Sequence, residues 1–110
     1  MTTNILTAIV SAYCACTICC GPNAKGITAS GNKPIEGLTV AISRRYPLGS
    51  RVFLQEIPEH RNTGNSRRDY YLGLDRTASK YDGRVDVYFK NHLQAKKFGI
   101  KTNKVIIITP

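Results

Sequence analysis

The sequence predicts an all-β protein of one domain, from its apolar pattern, its turn residues and its length. Six segments rich in β-branched and aromatic residues alternate with polar stretches that contain Gly, Pro, Asn and Asp, as expected for strands joined by turns. A chain of 110 residues buries about 65% of its unfolded surface around one core, so we expect a single domain over residues 1–110. The predicted strands are Ile5–Tyr13, Leu38–Ser43, Arg51–Ile57, Asp69–Leu74, Arg84–Phe89 and Lys104–Thr109.

The connections between these strands have their own signals. Asn91 is a preferred helix N-cap and Gly99 a preferred residue beyond a helix end, so they predict one short helix between the last two strands. Asp82 and Gly83 predict a tight turn. The polar segment Pro58–Arg68 predicts a long hairpin loop.

Asp86 is the residue that most favours chemistry. It lies between Val85 and Val87, where an acid with no structural role is disfavoured. Strand alternation places Val85, Val87 and Phe89 on one face and Asp86 with Tyr88 on the other, so the carboxylate can face a cleft. An ordinary solvent-facing acid, or the partner of a basic side chain, is the competing interpretation.

The charge and the N-terminus limit the possible partners. A net charge of +9, from 16 Lys and Arg against 7 Asp and Glu, indicates an anionic partner. The basic residues are scattered without an RNA-binding or helix-turn-helix signature, so no specific nucleic-acid partner is expected. By charge alone, a nucleic-acid-binding domain or a basic surface that only aids solubility are the alternatives. The apolar run Ile5–Val10 is short and lacks a basic start and a cleavage site, so we expect neither a signal peptide nor a membrane span.

Four cysteines, Cys14, Cys16, Cys19 and Cys20, lie within seven residues. Four thiolates so close in sequence cannot easily take the four corners of a tetrahedron around one ion, so no metal site that uses all four is predicted. Buried thiols or disulfides that support the fold rank first, partial metal binding second and a nucleophile third. A nucleophile would need His60 or His92 as its base.

Several motifs occur in an order that resembles the 3D (three-aspartate) domain, a small double-psi β-barrel similar to the catalytic barrel of membrane-bound lytic transglycosylases and to stationary-phase survival proteins. The resemblance covers about residues 12–105, and Asp75 and Asp86 stand eleven positions apart within it. The motifs are Ser11–Tyr13, Thr28–Gly31, Val40–Ala41, Pro47–Ser50, Asp75, Val85–Tyr88 and His92–Gly99.

The resemblance implies a six-stranded double-psi β-barrel with one short helix, and lytic transglycosylase activity on peptidoglycan. It implies that Asp86 is the acid and base, and that Asp75 assists it by holding substrate, stabilising positive charge or raising the pKa of Asp86. Tyr13, Thr28 and Tyr88 are the expected substrate-binding residues. The implied partner is the glycan strand, bound by a monomer that needs no cofactor.

One departure from the family pattern supports an alternative. The family usually has a further aspartate in the stretch that reads Ile42–Tyr46 here, and this stretch contains no acid. A non-catalytic murein-binding protein or a phage virion structural barrel is therefore the alternative function. In either case we expect action at the bacterial cell wall, by a phage-encoded protein or one released from the cytoplasm.

Overall fold

The structure is a computed structural model that describes residues 1–14, 27–54 and 70–110. Within these ranges six strands form a closed barrel in the order β1-β5-β2-β4-β3-β6, and a short helix α1 precedes β6. The bounds are β1 Thr2–Tyr13, β2 Thr39–Ile42, β3 Ser50–Leu54, β4 Tyr71–Arg76, β5 Val85–Tyr88, α1 His92–Phe98 and β6 Lys101–Thr109, with a 3-10 turn at Ser79–Tyr81. The predicted all-β barrel with one helix is confirmed, and its double-psi connectivity stays a prediction.

Two strands, β1 and β6, are longer than the sequence predicted, and β4 is shifted by two residues towards the C-terminus. β1 and β6 pair antiparallel from Thr2–Thr109 to Val10–Lys101, so each supplies the backbone partners that extend the other. β4 continues through Asp75 to Arg76 because it pairs with β2 over that stretch. Asp75 therefore lies inside a strand and not beyond its end.

The core is formed by the inward residues of all six strands. Val85 and Val87 are fully buried and Phe89 joins them, which confirms the predicted alternation in β5. β-branched side chains pack well on a pleated surface, so this core suits the strands that build it. The core cluster also contains Val10, Val40, Ile42, Val52, Leu54, Tyr71, Val105 and Ile107.

Helix α1 is held by its cap and by one aromatic contact. The Asn91 side chain accepts hydrogen bonds from the backbone N–H groups of Leu93 and Gln94, at 2.8 and 3.3 Å. Gly99 ends the helix with φ of 72°. Phe98 packs on Phe89 with ring centroids 5.3 Å apart, which matters because seven residues are too few for a helix to be stable alone.

The remaining connections are described in part. Gly83 has φ of 97°, and the N–H of Arg84 donates to the carbonyl of Tyr81 at 3.0 Å, which confirms the predicted turn. β3 and β4 pair antiparallel, while the predicted loop Pro58–Arg68 lies outside the described residues. No helix in the described part of the chain is long and apolar enough to span a membrane.

Candidate functional site

The two predicted aspartates belong to one row of residues that crosses four neighbouring strands. Ser11 of β1 pairs with Asp86 of β5, Asp86 with Ala41 of β2, and Ala41 with Asp75 of β4. Directly paired residues share a face, and the neighbours Val10, Val40 and Val85 are in the core, so this row lies on the outer face. Strands are about 4.8 Å apart, so the Asp86 and Asp75 backbones are about 10 Å apart, with only the small Ala41 side chain between.

A β-bulge places Asp75 in this row. The register between β2 and β4 passes from Val40–Gly73 to Ala41–Asp75, which leaves Leu74 as an extra residue. Without the bulge, Leu74 would stand opposite Ala41 and Asp75 would face the core. The bulge thus brings the second carboxylate to the same face as Asp86.

The glycine beside the bulge is sterically required. A Cβ atom at Gly73 would lie 2.9 Å from Cγ1 of Ile42, and even closer to its Cδ1. Ile42 is fully buried, so its side chain has little room to move away. Gly73 therefore permits the close approach of β4 to β2 just where the register shifts.

The Thr28–Gly31 segment docks on the bulge through backbone hydrogen bonds. The N–H of Ser30 donates to the carbonyl of Leu74 at 3.0 Å, and the N–H of Ala29 donates to Oδ1 of Asp75 at 3.0 Å. Thr28 itself is buried, and its hydroxyl lies 2.6 Å from Oγ of Ser30 and donates to the carbonyl of Asn32 at 2.9 Å. The structure thus brings Thr28 beside the site with its hydroxyl engaged in its own turn.

Asp75 is held by three hydrogen-bond donors. The Tyr13 hydroxyl donates to Oδ2 at 3.0 Å. Oδ1 accepts from the N–H groups of Ala29 and Arg76, at 3.0 and 2.9 Å. These donors come from β1, from the 28–31 segment and from β4, so the carboxylate orientation is fixed by three parts of the chain.

Asp86 is in a less polar setting. The Ser11 hydroxyl donates a hydrogen bond to Oδ1 of Asp86. Burial raises the pKa of Asp86, and the negative charge of Asp75 adds to this, while the Ser11 hydrogen bond and the positive charge of Arg84 act in the opposite direction. The net shift is upward, so Asp86 keeps its proton to a higher pH than an ordinary aspartate.

Tyr13 and Tyr88 form an aromatic wall next to this acid. They pair in the register between β1 and β5, two residues beyond Ser11 and Asp86. Their rings meet edge to face with centroids 5.6 Å apart. Tyr88 is buried, while the hydroxyl of Tyr13 donates to Asp75, so the pair is tied to that carboxylate.

Two residues of the segment 42–46 contact the Asp82 turn and Arg76 of β4. The Ser43 hydroxyl donates to Oδ1 of Asp82 at 2.8 Å. Nη1 of Arg76 donates to the carbonyls of Ser43 and Tyr46, at 2.7 and 2.6 Å. Asp82, predicted only as a turn residue, therefore also ties its turn to the end of β2.

Of the cysteines and histidines, the structure describes Cys14 and His92. Cys14 is buried, with Sγ 3.5 Å from Nδ1 of His92. Cys16, Cys19, Cys20 and His60 lie outside the described residues. Among residues 1–14, 27–54 and 70–110, no three His, Cys, Asp or Glu side chains are grouped so that they could hold a metal ion.

Sequence reasoning missed two residues of the site. Ser11 was part of a motif but had no role, although alternation in β1 places it on the same face as Tyr13. Arg84 was seen only as a strand residue, although it stands two positions before Asp86.

No protein-family model matches this chain, and no curated protein matches it significantly.

Proposed function

We propose that this protein is a peptidoglycan lytic transglycosylase with a barrel of the 3D type. The observation that carries the proposal is Asp86, a half-buried carboxyl with a raised pKa on the outer face of the barrel. A general acid must hold its proton near the working pH, and burial beside a second carboxylate favours this. The motif order that resembles the 3D domain supports the same assignment.

In the proposed reaction one side chain moves the proton twice. Protonated Asp86 donates its proton to the glycosidic oxygen between MurNAc and GlcNAc, and the bond to the MurNAc anomeric carbon breaks. The 6-hydroxyl oxygen of the same MurNAc then bonds to that carbon, and its proton returns to Asp86. No water is consumed, so a second carboxylate is not needed to activate one, in contrast to ordinary glycosidases.

The neighbours of Asp86 take supporting roles in this proposal. Asp75, held in place by Tyr13, lies across Ala41 from the acid and stabilises the oxocarbenium-like charge. Tyr13 offers its aromatic ring to a sugar with Tyr88 packed against it, and the Thr28 segment fixes Asp75. One chain supplies all of these groups, so we propose a monomer that acts on glycan strands at the bacterial cell wall without a cofactor.

The test is mass spectrometry of purified peptidoglycan incubated with the protein. We expect muropeptides with 1,6-anhydroMurNAc ends, and we expect Asp86→Asn to abolish them while the barrel stays folded. Asp82→Asn is the matched control, because it is the same substitution in a turn four residues away and keeps an acceptor for Ser43. Reducing-end products would indicate a hydrolase, and full activity of Asp86→Asn would remove that residue from the mechanism.

The alternative is a non-catalytic murein-binding protein or a phage virion structural barrel. It is favoured by the segment Ile42–Tyr46 around Ser43, which contains no aspartate where the 3D pattern usually has one. Co-sedimentation with insoluble peptidoglycan distinguishes the two. Binding that is the same in the wild type and Asp86→Asn, with no anhydro product from either, would favour the alternative.

A further inference from the structure

Two cations and one aromatic ring form a cluster beside the candidate acid. The guanidinium carbon of Arg84 lies 4.4 Å from the centroid of the Tyr81 ring, and Nζ of Lys80 lies 5.1 Å from it. Tyr81 is 39% exposed, so this cation–π arrangement is open to solvent. We call these three residues the Tyr81 cluster.

The chain segment between the two aspartates positions this cluster. The 3-10 turn places Lys80 and Tyr81, and the turn at Gly83 then brings the N–H of Arg84 to the Tyr81 carbonyl at 3.0 Å. Arg84 directly precedes β5 and stands two residues before Asp86, so their backbones are at most about 7 Å apart along the chain. The charge of Arg84 acts on the Asp86 carboxyl.

Within the described part of the chain no carboxylate makes a direct ion pair with Lys80 or Arg84, and Asp86 interacts with Arg84 only through charge. The nearest acid in sequence, Asp82, accepts a hydrogen bond from Ser43 instead. The other acid of the site, Asp75, is held by Tyr13 and two backbone N–H groups. Two like charges against one ring repel each other, and a bound anion would relieve that repulsion.

We infer that Lys80 and Arg84 bind a carboxylate carried by the sugar whose glycosidic bond lies at Asp86. This inference rests on the proposed function and identifies the muramyl side of the substrate as the side recognised by charge. The carboxylate belongs to the substituent on the muramyl ring, either the free lactyl group of a peptide-free strand or an acid of the stem peptide. Tyr81 holds the two cations in place for it.

The first test is a binding measurement that needs no turnover. N-acetylmuramic acid is titrated into the protein, and binding is monitored through the backbone amide signals of Gly83 and Arg84 in NMR spectra. The affinity is compared with that of the uncharged lactyl amide of the same sugar. A charge-assisted contact predicts about tenfold tighter binding of the acid. Equal affinities for the acid and the amide, together with peptide-bearing strands that bind the wild type no more tightly than Arg84→Gln, would overturn the inference.

Substitutions of Lys80 and Arg84 test whether the Tyr81 cluster causes the preference for the acid. Arg84→Gln and Lys80→Gln should each remove most of the preference for the acid, while Arg84→Lys should keep part of it. Lys104→Gln is the control, because it removes one charge from an exposed position on β6. An equal loss in Lys104→Gln would show a general charge effect and overturn the assignment, and so would a full preference in Arg84→Gln.

The source of the carboxylate and the proposed reaction are tested separately. Peptide-free and peptide-bearing glycan strands, titrated in the same way, identify the lactyl group or the stem peptide as the source. If Arg84→Gln loses the preference but the wild type forms no anhydro product, the binding site stands and the proposed function fails. If anhydro product forms but neither the acid over the amide nor the peptide-bearing strands show a preference that depends on Arg84, the function stands and this inference fails.

Discussion

Replacing Ser11 by Ala should raise the pKa of Asp86 further. The Ser11 hydroxyl donates to Oδ1 of Asp86 and favours its charged form, against the burial that disfavours it. A hydrogen bond to a charged group contributes about 1.5–3 kcal/mol. Losing this hydrogen bond removes that stabilisation of the charged form, so the pKa of Asp86 should move upward.

The shift has a defined sign for both activity and stability. A general acid works while protonated, so the fall in kcat/KM at high pH should move to higher pH in Ser11→Ala. The folded pKa of Asp86 is already above its unfolded value. Its contribution to stability is therefore fully present below the unfolded pKa and is lost as pH rises through the folded pKa. Ser11→Ala should thus lose more stability at pH 7 than at pH 3.

The assay is an NMR titration of the aspartate side-chain carboxyl carbons, together with the pH–rate profile for anhydromuropeptide release. Thr7→Ala is the matched control, because Thr7 is on the same strand and the same outer face but is exposed and paired with Lys104. An Asp86 titration that is unchanged in Ser11→Ala, or shifted downward, would refute the reasoning. A shift of the same size in Thr7→Ala would do so as well.

Three further outcomes are expected. Asp75→Asn removes a charge that raises the pKa of Asp86, so the high-pH limb of the rate profile should move to lower pH with reduced activity, and a wild-type profile would assign Asp75 to structure. Asp86→Asn keeps an acceptor for Ser11 and removes a buried charge, so thermal unfolding should show a higher Tm at pH 7 with little change at pH 3. Gly73→Ala should lower the unfolding free energy by about 1–3 kcal/mol in urea titrations, because its Cβ atom would clash with Ile42. Adding Ile42→Val to the same chain should restore part of the loss, and no restoration would show that there is no clash.

The fold could be predicted because its strands carry local signals. Val85 and Val87 alternate with polar residues, and the core positions of the other strands are also β-branched or apolar, so each strand is recognisable from its own residues. Asn91 and Gly99 mark α1 by the chemistry of helix ends. None of these signals depends on which strands are neighbours.

The contacts of the site depend on strand order and register, which local signals do not fix. Ser11 and Asp86 are 75 residues apart in sequence, and Tyr13 and Asp75 are 62 apart. The β-bulge at Leu74 could not be predicted either, because the sequence around it looks like a regular strand end. The site aspartates were found through a family resemblance and a buried-strand acid, and their partners only through the barrel.

The way in which the chain holds Asp86 argues against the ordinary explanation of an acid in a strand. A protein with 16 Lys and Arg could place a cation in direct contact with this carboxylate, and such an ion pair would lower its pKa. In the described part of the chain, Asp86 instead accepts from a neutral serine, and Asp75 from a tyrosine and two backbone N–H groups. Arg84 acts on Asp86 only through its charge and packs on Tyr81. Burial therefore keeps the pKa of Asp86 raised despite these two contacts, which a direct ion pair would not allow and which the proposed proton transfer needs.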